Sequence, residues 1–269
     1  MAAEHRSPQK AQQPGAADAR KAALRRQAWE AMTRAGVARF PGAAGRIPNF
    51  TGAEACARLL AELPEWQAAR TVKANPDAPQ RAIRRLALDD GKTVFMAVPR
   101  LREPAPFIRL DPALLQGKHH EASSIKGAFA LGQPVRLDDM PPIDIVVCGS
   151  VAVNRGGARL GKGGGYSDLE FALLAERGRI SDRTVILTTV HPIQVLGDLL
   201  LGDGEDDIPM LAHDFPLDLI VTPREVIRIE RRRRGGHPRP RGIIPDILPE
   251  EKRQAIPVLR ELFGQRRNA

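Results

Sequence analysis

Two rhythms divide this chain. Short apolar runs bounded by turn-forming residues predict buried strands at residues 69–74, 92–98, 143–149, 183–190, 217–222 and 226–229, with a further short one at 107–109. Apolar residues recurring every three or four positions predict helices. Residues 18–38 carry Leu24, Ala28, Trp29 and Met32 on one side, with Lys21, Arg25 and Arg26 projecting elsewhere, and this helix is expected to end at Gly36 or soon after. Further helices are expected over 52–63, capped by Thr51 and stopped by Pro64, then over 77–88, from 169 to 175, and over 249–263. Residues 99–142 are rich in proline and follow neither period, apart from the short strand and a turn at 138–142. Strand and helix in alternation predict an α/β fold, a layered and mostly parallel sheet flanked by helices.

Six of the 24 glycines fall between Gly156 and Gly165, with Arg159 and Lys162 among them and Tyr166, Ser167 and Asp168 directly after. Glycine allows positive φ and a close backbone approach, so successive amide N–H groups can converge on an anion. The run follows a predicted strand and opens onto a predicted helix, whose N-terminus favours negative charge. A phosphate cradle is therefore expected, with Lys162 adding a point charge. Gly156 to Lys162 satisfies the Walker A spacing, yet Gly163 stands where Ser or Thr should meet magnesium, so a Walker ATPase is not expected. The Rossmann glycine pattern fails too, because Tyr166 takes its third glycine position. The competing reading is a glycine-rich surface hairpin with no ligand.

At 269 residues and 42% hydrophobic composition, the chain can bury one substantial core. No apolar run nears the roughly 18 to 20 residues that span a bilayer, and residues 1–20 lack a secretory signal pattern, so a soluble cytoplasmic protein with no membrane partner is expected. The expected organisation is a disordered tail at 1–17, an α/β domain at 18–229, and a basic loop with a terminal helix at 230–269. Cys56 and Cys148 read as reduced core thiols, and the six histidines lack metal-ligand spacing. Net charge is +9, but residues 228–241 hold seven arginines against one glutamate, which localises most of the excess. Arg231 to Arg234 read as a solvated basic loop. Without interleaved aromatics to stack bases, nucleic acid is not an expected partner.

With these elements placed, residues 143–222 resemble the 5-formyltetrahydrofolate cyclo-ligase family, also called methenyltetrahydrofolate synthetases. The resemblance rests on Ala152, Val153 and Asn154, on Gly157, and on the unbroken run from Arg159 through Leu160, Gly161, Lys162, Gly163, Gly164, Gly165, Tyr166 and Ser167 to Asp168. Downstream it includes Gln194, His213 and Asp214, Pro216 to Asp218, and Thr222; upstream, Lys21 and Leu24 with Arg25. It implies a cyclo-ligase-like fold and an ATP-dependent ring closure that turns 5-formyltetrahydrofolate into 5,10-methenyltetrahydrofolate, ADP and phosphate. ATP and Mg2+ are the implied cofactors, and a folate-type small molecule is the implied substrate. Lys162 and Arg159 would neutralise the transferring phosphoryl group. Lys21, Arg25, Gly161, Gly163, Gly164, Gly165 and Tyr166 would complete the nucleotide site. Asp168 and Asp214 match the family's magnesium positions, and carboxylate oxygens suit that hard ion. A monomer or homodimer is expected.

Four departures fall near the substrate. Ser167 replaces the second tyrosine of the family's pair, Asn154 replaces an aspartate, and Gln133 precedes Pro134 where glutamate is usual. The glutamate that contacts folate has no counterpart in residues 75–79. This pattern resembles a divergent, paralogue-like branch, with Arg46 to Phe50 and Val72 to Asp77 pointing the same way. Three alternatives stand beside the folate reaction: another formylated substrate, related to thiamine; a non-catalytic protein binding nucleic acid or a partner through the basic arm; and a sugar-phosphate or acyl-CoA enzyme.

Overall fold

The structure, a computed structural model, describes residues 14–197, 208–230 and 237–267. Met1 to Gln13 and the Arg231 to Arg234 run lie outside the described residues. Eleven strands are described: β1 (Thr71–Ala74), β2 (Thr93–Ala97), β3 (Phe107–Leu110), β4 (Gln133–Val135), β5 (Ile145–Cys148), β6 (Ala152–Asn154), β7 (Arg159–Leu160), β8 (Val185–Thr189), β9 (Val195–Leu196), β10 (Leu219–Val221) and β11 (Val226–Arg228). Eight form one sheet in the order β11-β10-β8-β5-β1-β2-β3-β4, and β7-β6-β9 form a second. The interior strands β10, β8, β5, β1 and β2 are mutually parallel. Antiparallel strands close both flanks: β11 at one, β3 and β4 at the other. The expected mostly parallel α/β architecture is what the chain adopts.

The helices are α1 (Pro14–Arg34), α2 (Ala53–Ala61), α3 (Pro64–Ala68), α4 (Arg81–Asp89), α5 (Pro112–Leu115), α6 (His119–Ala122), α7 (Ile125–Leu131), α8 (Tyr166–Glu176), α9 (Glu250–Ala255) and α10 (Pro257–Arg267). Successive strand residues face opposite sides of a sheet. Ile145 and Val147 accordingly join the layer under α2, α3 and α4, while Val146 and Cys148 join the layer under α8 and α10. A third cluster seats α1 on the small sheet through Leu24, Ala28, Ala152 and Leu160. Ile243, Ile256, Val258, Leu259 and Leu262 lie within the α8 layer, so the C-terminal segment is part of the main core.

Several local expectations are corrected. The first helix begins at Pro14, inside the stretch expected to be disordered, and Ala17 is buried. Its buried stripe runs Ala17, Lys21, Leu24, Ala28 and Met32, so Lys21 sits within the inward face instead of projecting elsewhere. Thr51 does not cap α2. Gly52 takes that position with φ 97° and no side-chain cap, while the Thr51 hydroxyl donates to the Val37 carbonyl at 3.3 Å. The terminal helix is broken at Ile256, because Pro257 disfavours helical geometry in the residue before it and then opens α10. Residues 99–142 hold three short helices and the edge strand β4, pieces too brief to show a period.

Gly52 joins two layers. A Cβ there would lie 2.7 Å from the Pro223 ring, and its φ is one that side chains resist. Gly52→Ala is expected to destabilise the fold by about 2 kcal/mol, measured by urea unfolding as a lower midpoint at unchanged slope.

Candidate functional site

In an open parallel sheet, a crevice forms where neighbouring strands send their connections to opposite sides. Here the chain leaves β1 for β2 through α4 on one side and leaves β5 for β8 through α8 on the other. Beyond the carboxyl ends of these strands lies a cavity of about 510 Å³, lined by Asn75 and Asp77 after β1, Gly149 after β5, and Arg100 after β2. Helix α1 and the 161–168 segment complete its walls. Every residue expected in the site lines it: Lys21, Arg25, Arg159, Gly161, Lys162, Gly163, Gly164, Gly165, Tyr166, Asp168 and Asp214.

The glycine run divides into two parts with different tasks. Gly156 and Gly157 lie in the turn of the β6–β7 hairpin, outside the cavity lining, so the Walker-like spacing from Gly156 has no bearing on the loop. Asn154 closes that turn, its side-chain oxygen accepting from the amides of Gly156 at 3.1 Å and Ala158 at 2.9 Å. The run therefore divides in place: its first half is the turn of a hairpin, and from Gly161 onward it lines the cavity. Gly165 is the N-cap of α8 with φ 68° and no side-chain cap, so the first amide donors of that helix face the cavity rim without a side-chain acceptor. Arg25 steadies the loop through Nε, which donates to the Gly161 carbonyl at 2.7 Å.

Both expected metal carboxylates are paired with cations. Lys21 donates to Asp214 in a buried contact, and Asp214 also accepts from the Leu211 amide at 2.6 Å. Arg159, nearly inaccessible, donates to Asp168 at 2.6 Å and to the Gly149 carbonyl at 3.0 Å, and its guanidinium lies 4.5 Å from the centre of the Phe215 ring. Burial pulls the Arg159 guanidinium down more than any single neighbour raises it, but the surrounding negative charges, Asp168 first, together with the hydrogen bond to Asp168 hold Arg159 above its ordinary value. Lys162 is half exposed and stands 3.8 Å from Asp77. No cluster of three or more His, Cys, Asp or Glu suited to a metal occurs among the described residues.

Sequence reasoning missed a third buried ion pair, between Glu170 of the cavity lining and Lys73 behind it. Lys73, 1% exposed, donates to Glu170 at 2.5 Å and to the Asn75 side chain at 2.8 Å. The signal was available: a lysine between Val72 and Ala74 interrupts a strand covered on both faces, where unbroken apolar residues are the rule. Burial pushes the Glu170 carboxyl up, against the pull of Lys73. Asp77 was missed as well, and burial likewise raises it, opposed by Lys162, Arg84 and Lys73. Ser167, at the position of a missing tyrosine, accepts from the Asn75 side chain at 3.3 Å.

The sequence profile described as the 5-formyltetrahydrofolate cyclo-ligase family matches residues 17–223. The chain belongs to that family. A mouse methenyltetrahydrofolate synthase domain-containing protein is 38% identical over 252 residues, covering 93% of this chain and 64% of that protein. Its human namesake is 34% identical over 263 residues, covering 96% of this chain and 65% of that protein. The chain thus spans just under two thirds of the length of these curated relatives. An NMR structure of the Aquifex aeolicus 5,10-methenyltetrahydrofolate synthetase aligns with 78% of this chain and 93% of its own at 20% identity and a TM-score of 0.47.

The raised carboxyl of Asp77 has a definite sign. Below the ordinary carboxylate value it is protonated in both folded and unfolded chains; above it, the unfolded chain ionises first, so stability falls as pH rises through the raised value. Asp77→Asn is expected to melt higher than the parent at pH 8, with the gap shrinking towards pH 4. Thermal melts across that range test this, and a gap independent of pH would count against it.

Proposed function

We propose that this chain is an ATP-dependent ligase of the cyclo-ligase type, acting on 5-formyltetrahydrofolate or a closely related formylated substrate. The observation that carries the reading is the uncapped start of α8, preceded by Gly163 to Gly165 and flanked by Lys162, Arg25 and Lys21, all on one cavity. Backbone donors without a side-chain acceptor, with cations gathered beside them, suit a polyphosphate. Lys162 is the cation free to meet the terminal phosphate, since its contact with Asp77 is long. Arg25 keeps its terminal nitrogens for the same charge while its Nε fixes the loop. Arg159 serves a step further back, with its two terminal nitrogens donating to Gly149 and Asp168.

In the proposed reaction, the formyl oxygen attacks the γ-phosphorus and the bond to ADP breaks. The neighbouring nitrogen then attacks the formyl carbon and releases its proton to solvent, and phosphate departs with the oxygen, leaving the ring closed. Such transfer asks the protein for alignment and charge neutralisation more than for covalent help. Asp168 and Asp214 would hold Mg2+, with phosphate oxygens and water as its other ligands. Two hard carboxylates on one cavity fit an ion that arrives with its nucleotide and takes its remaining ligands from phosphate and water. When bound, the ion would offset negative charge on the phosphates. Asp77 and Glu170, the latter backed by Lys73, face the remaining volume, where a formylated heterocycle would sit.

Purified protein with ATP, Mg2+ and 5-formyltetrahydrofolate is expected to raise the methenyl absorbance in the near ultraviolet, and Lys162→Ala to lower the rate by about a hundredfold. Flat absorbance with ATP binding intact would reject the folate assignment in favour of another formylated substrate, thiamine-related compounds being the first to try. Turnover unchanged in Lys162→Ala would sink the reading of the loop itself.

A further inference from the structure

The glycine loop is held from behind by a segment that lies beyond the family match at residues 17–223. Lys252, on α9, donates from Nζ to the Gly164 carbonyl at 2.7 Å and lies 5.2 Å from the centre of the Tyr166 ring. A Cβ on Gly165 would come within 3.0 Å of the same Nζ. Lys252 is half-buried and does not line the cavity, so it reaches the loop from the side away from the proposed ligand.

The anchor behind Lys252 is firm. Ile256, Val258, Leu259 and Leu262 are buried against the α8 layer, and the Arg253 guanidinium stacks 4.5 Å from the Phe263 ring. The same segment also holds the far end of α8, where Glu176 accepts from the Ile243 amide at 3.1 Å. Helix α8 is therefore gripped at both ends by residues 242–262.

We propose that Lys252 is a positioning residue for the anion site, deepening the function proposed above and resting on its reading of the loop. In a planar trans peptide the C=O and N–H point in opposite directions. A cation drawing the Gly164 carbonyl backward turns the Gly165 amide forward, towards the cavity. The ammonium also sets a positive charge behind the place where phosphate would lie, and its approach to the Tyr166 ring fixes the first residue of α8. Arg25 holds Gly161 from the front and Lys252 holds Gly164 from the rear, so the cradle is pinned at two points before any ligand arrives.

The test compares full-length Lys252→Met and Lys252→Arg with the parent. Lys252→Met is expected to weaken ATP binding by about tenfold, raise KM for ATP more than it lowers kcat, and speed hydrogen exchange at the amides of residues 163–167. Lys252→Arg should restore binding to within about threefold. ATP affinity within twofold of the parent in Lys252→Met, with unchanged exchange, overturns the proposal. If Lys252→Met does not fold, Lys252→Gln takes its place. Should both neutral variants unfold while Lys252→Arg stays stable, the residue serves the fold and not the loop, and the proposal is likewise overturned. A parent that binds no ATP would reject the proposed function, and the exchange rates would then decide the role of Lys252 alone.

Discussion

The buried pair between Arg159 and Asp168 is the joint on which the site depends. It ties the β6–β7 hairpin to the first turn of α8, and through the Gly149 carbonyl it ties both to the end of β5. A guanidinium this deep is tolerable only because a carboxylate, a carbonyl and the Phe215 face surround it. The glycine loop spans the short distance between the two partners. Its path is thus set by an electrostatic contact that closes a loop of fewer than ten residues, with glycines supplying the backbone freedom to follow it.

Charge is nearly balanced around the cavity, and the balance is arranged in layers. Behind the lining Lys73 meets Glu170; in the wall Arg159 meets Asp168 and Lys21 meets Asp214. Only towards the mouth do cations such as Lys162 stand loosely attended. A polyphosphate arriving from solvent would meet the loose cations first. The deeper pairs keep their charges compensated whether or not a ligand is present, which avoids the desolvation cost of an empty, single-signed pocket.

Much of this was legible in the chain itself, and the exceptions have physical causes. The strands were readable because parallel strands covered on both faces form unbroken apolar runs. The glycine loop at the cavity was readable because glycine, lysine and a helix start rarely coincide without a reason. Lys21 was misplaced because a lysine is counted as polar, whereas its ammonium is taken up by Asp214 nearly two hundred residues away. Lys73 and Glu170 were overlooked for the same reason: each partner looks anomalous alone, and only the sheet brings them together. The N-cap of α2 went to Gly52 in place of Thr51 because tertiary packing on Pro223 outranks a local hydroxyl preference. Residues 99–142 stayed opaque because each piece is too short for periodicity to speak.

The separation of Lys21 from Asp214 has a kinetic consequence. The two lie 193 positions apart, and the pocket also draws on residues after β1, β2 and β5. Contacts between distant chain segments form only once large loops have closed, at an entropic cost that slows assembly. A fragment that lacks either end of this span lacks part of the lining, and the cavity is complete only with the completed sheet. An anion lodged there would draw together the first helix, the sheet centre and the chain beyond β9 at once, acting as a clasp on the whole molecule.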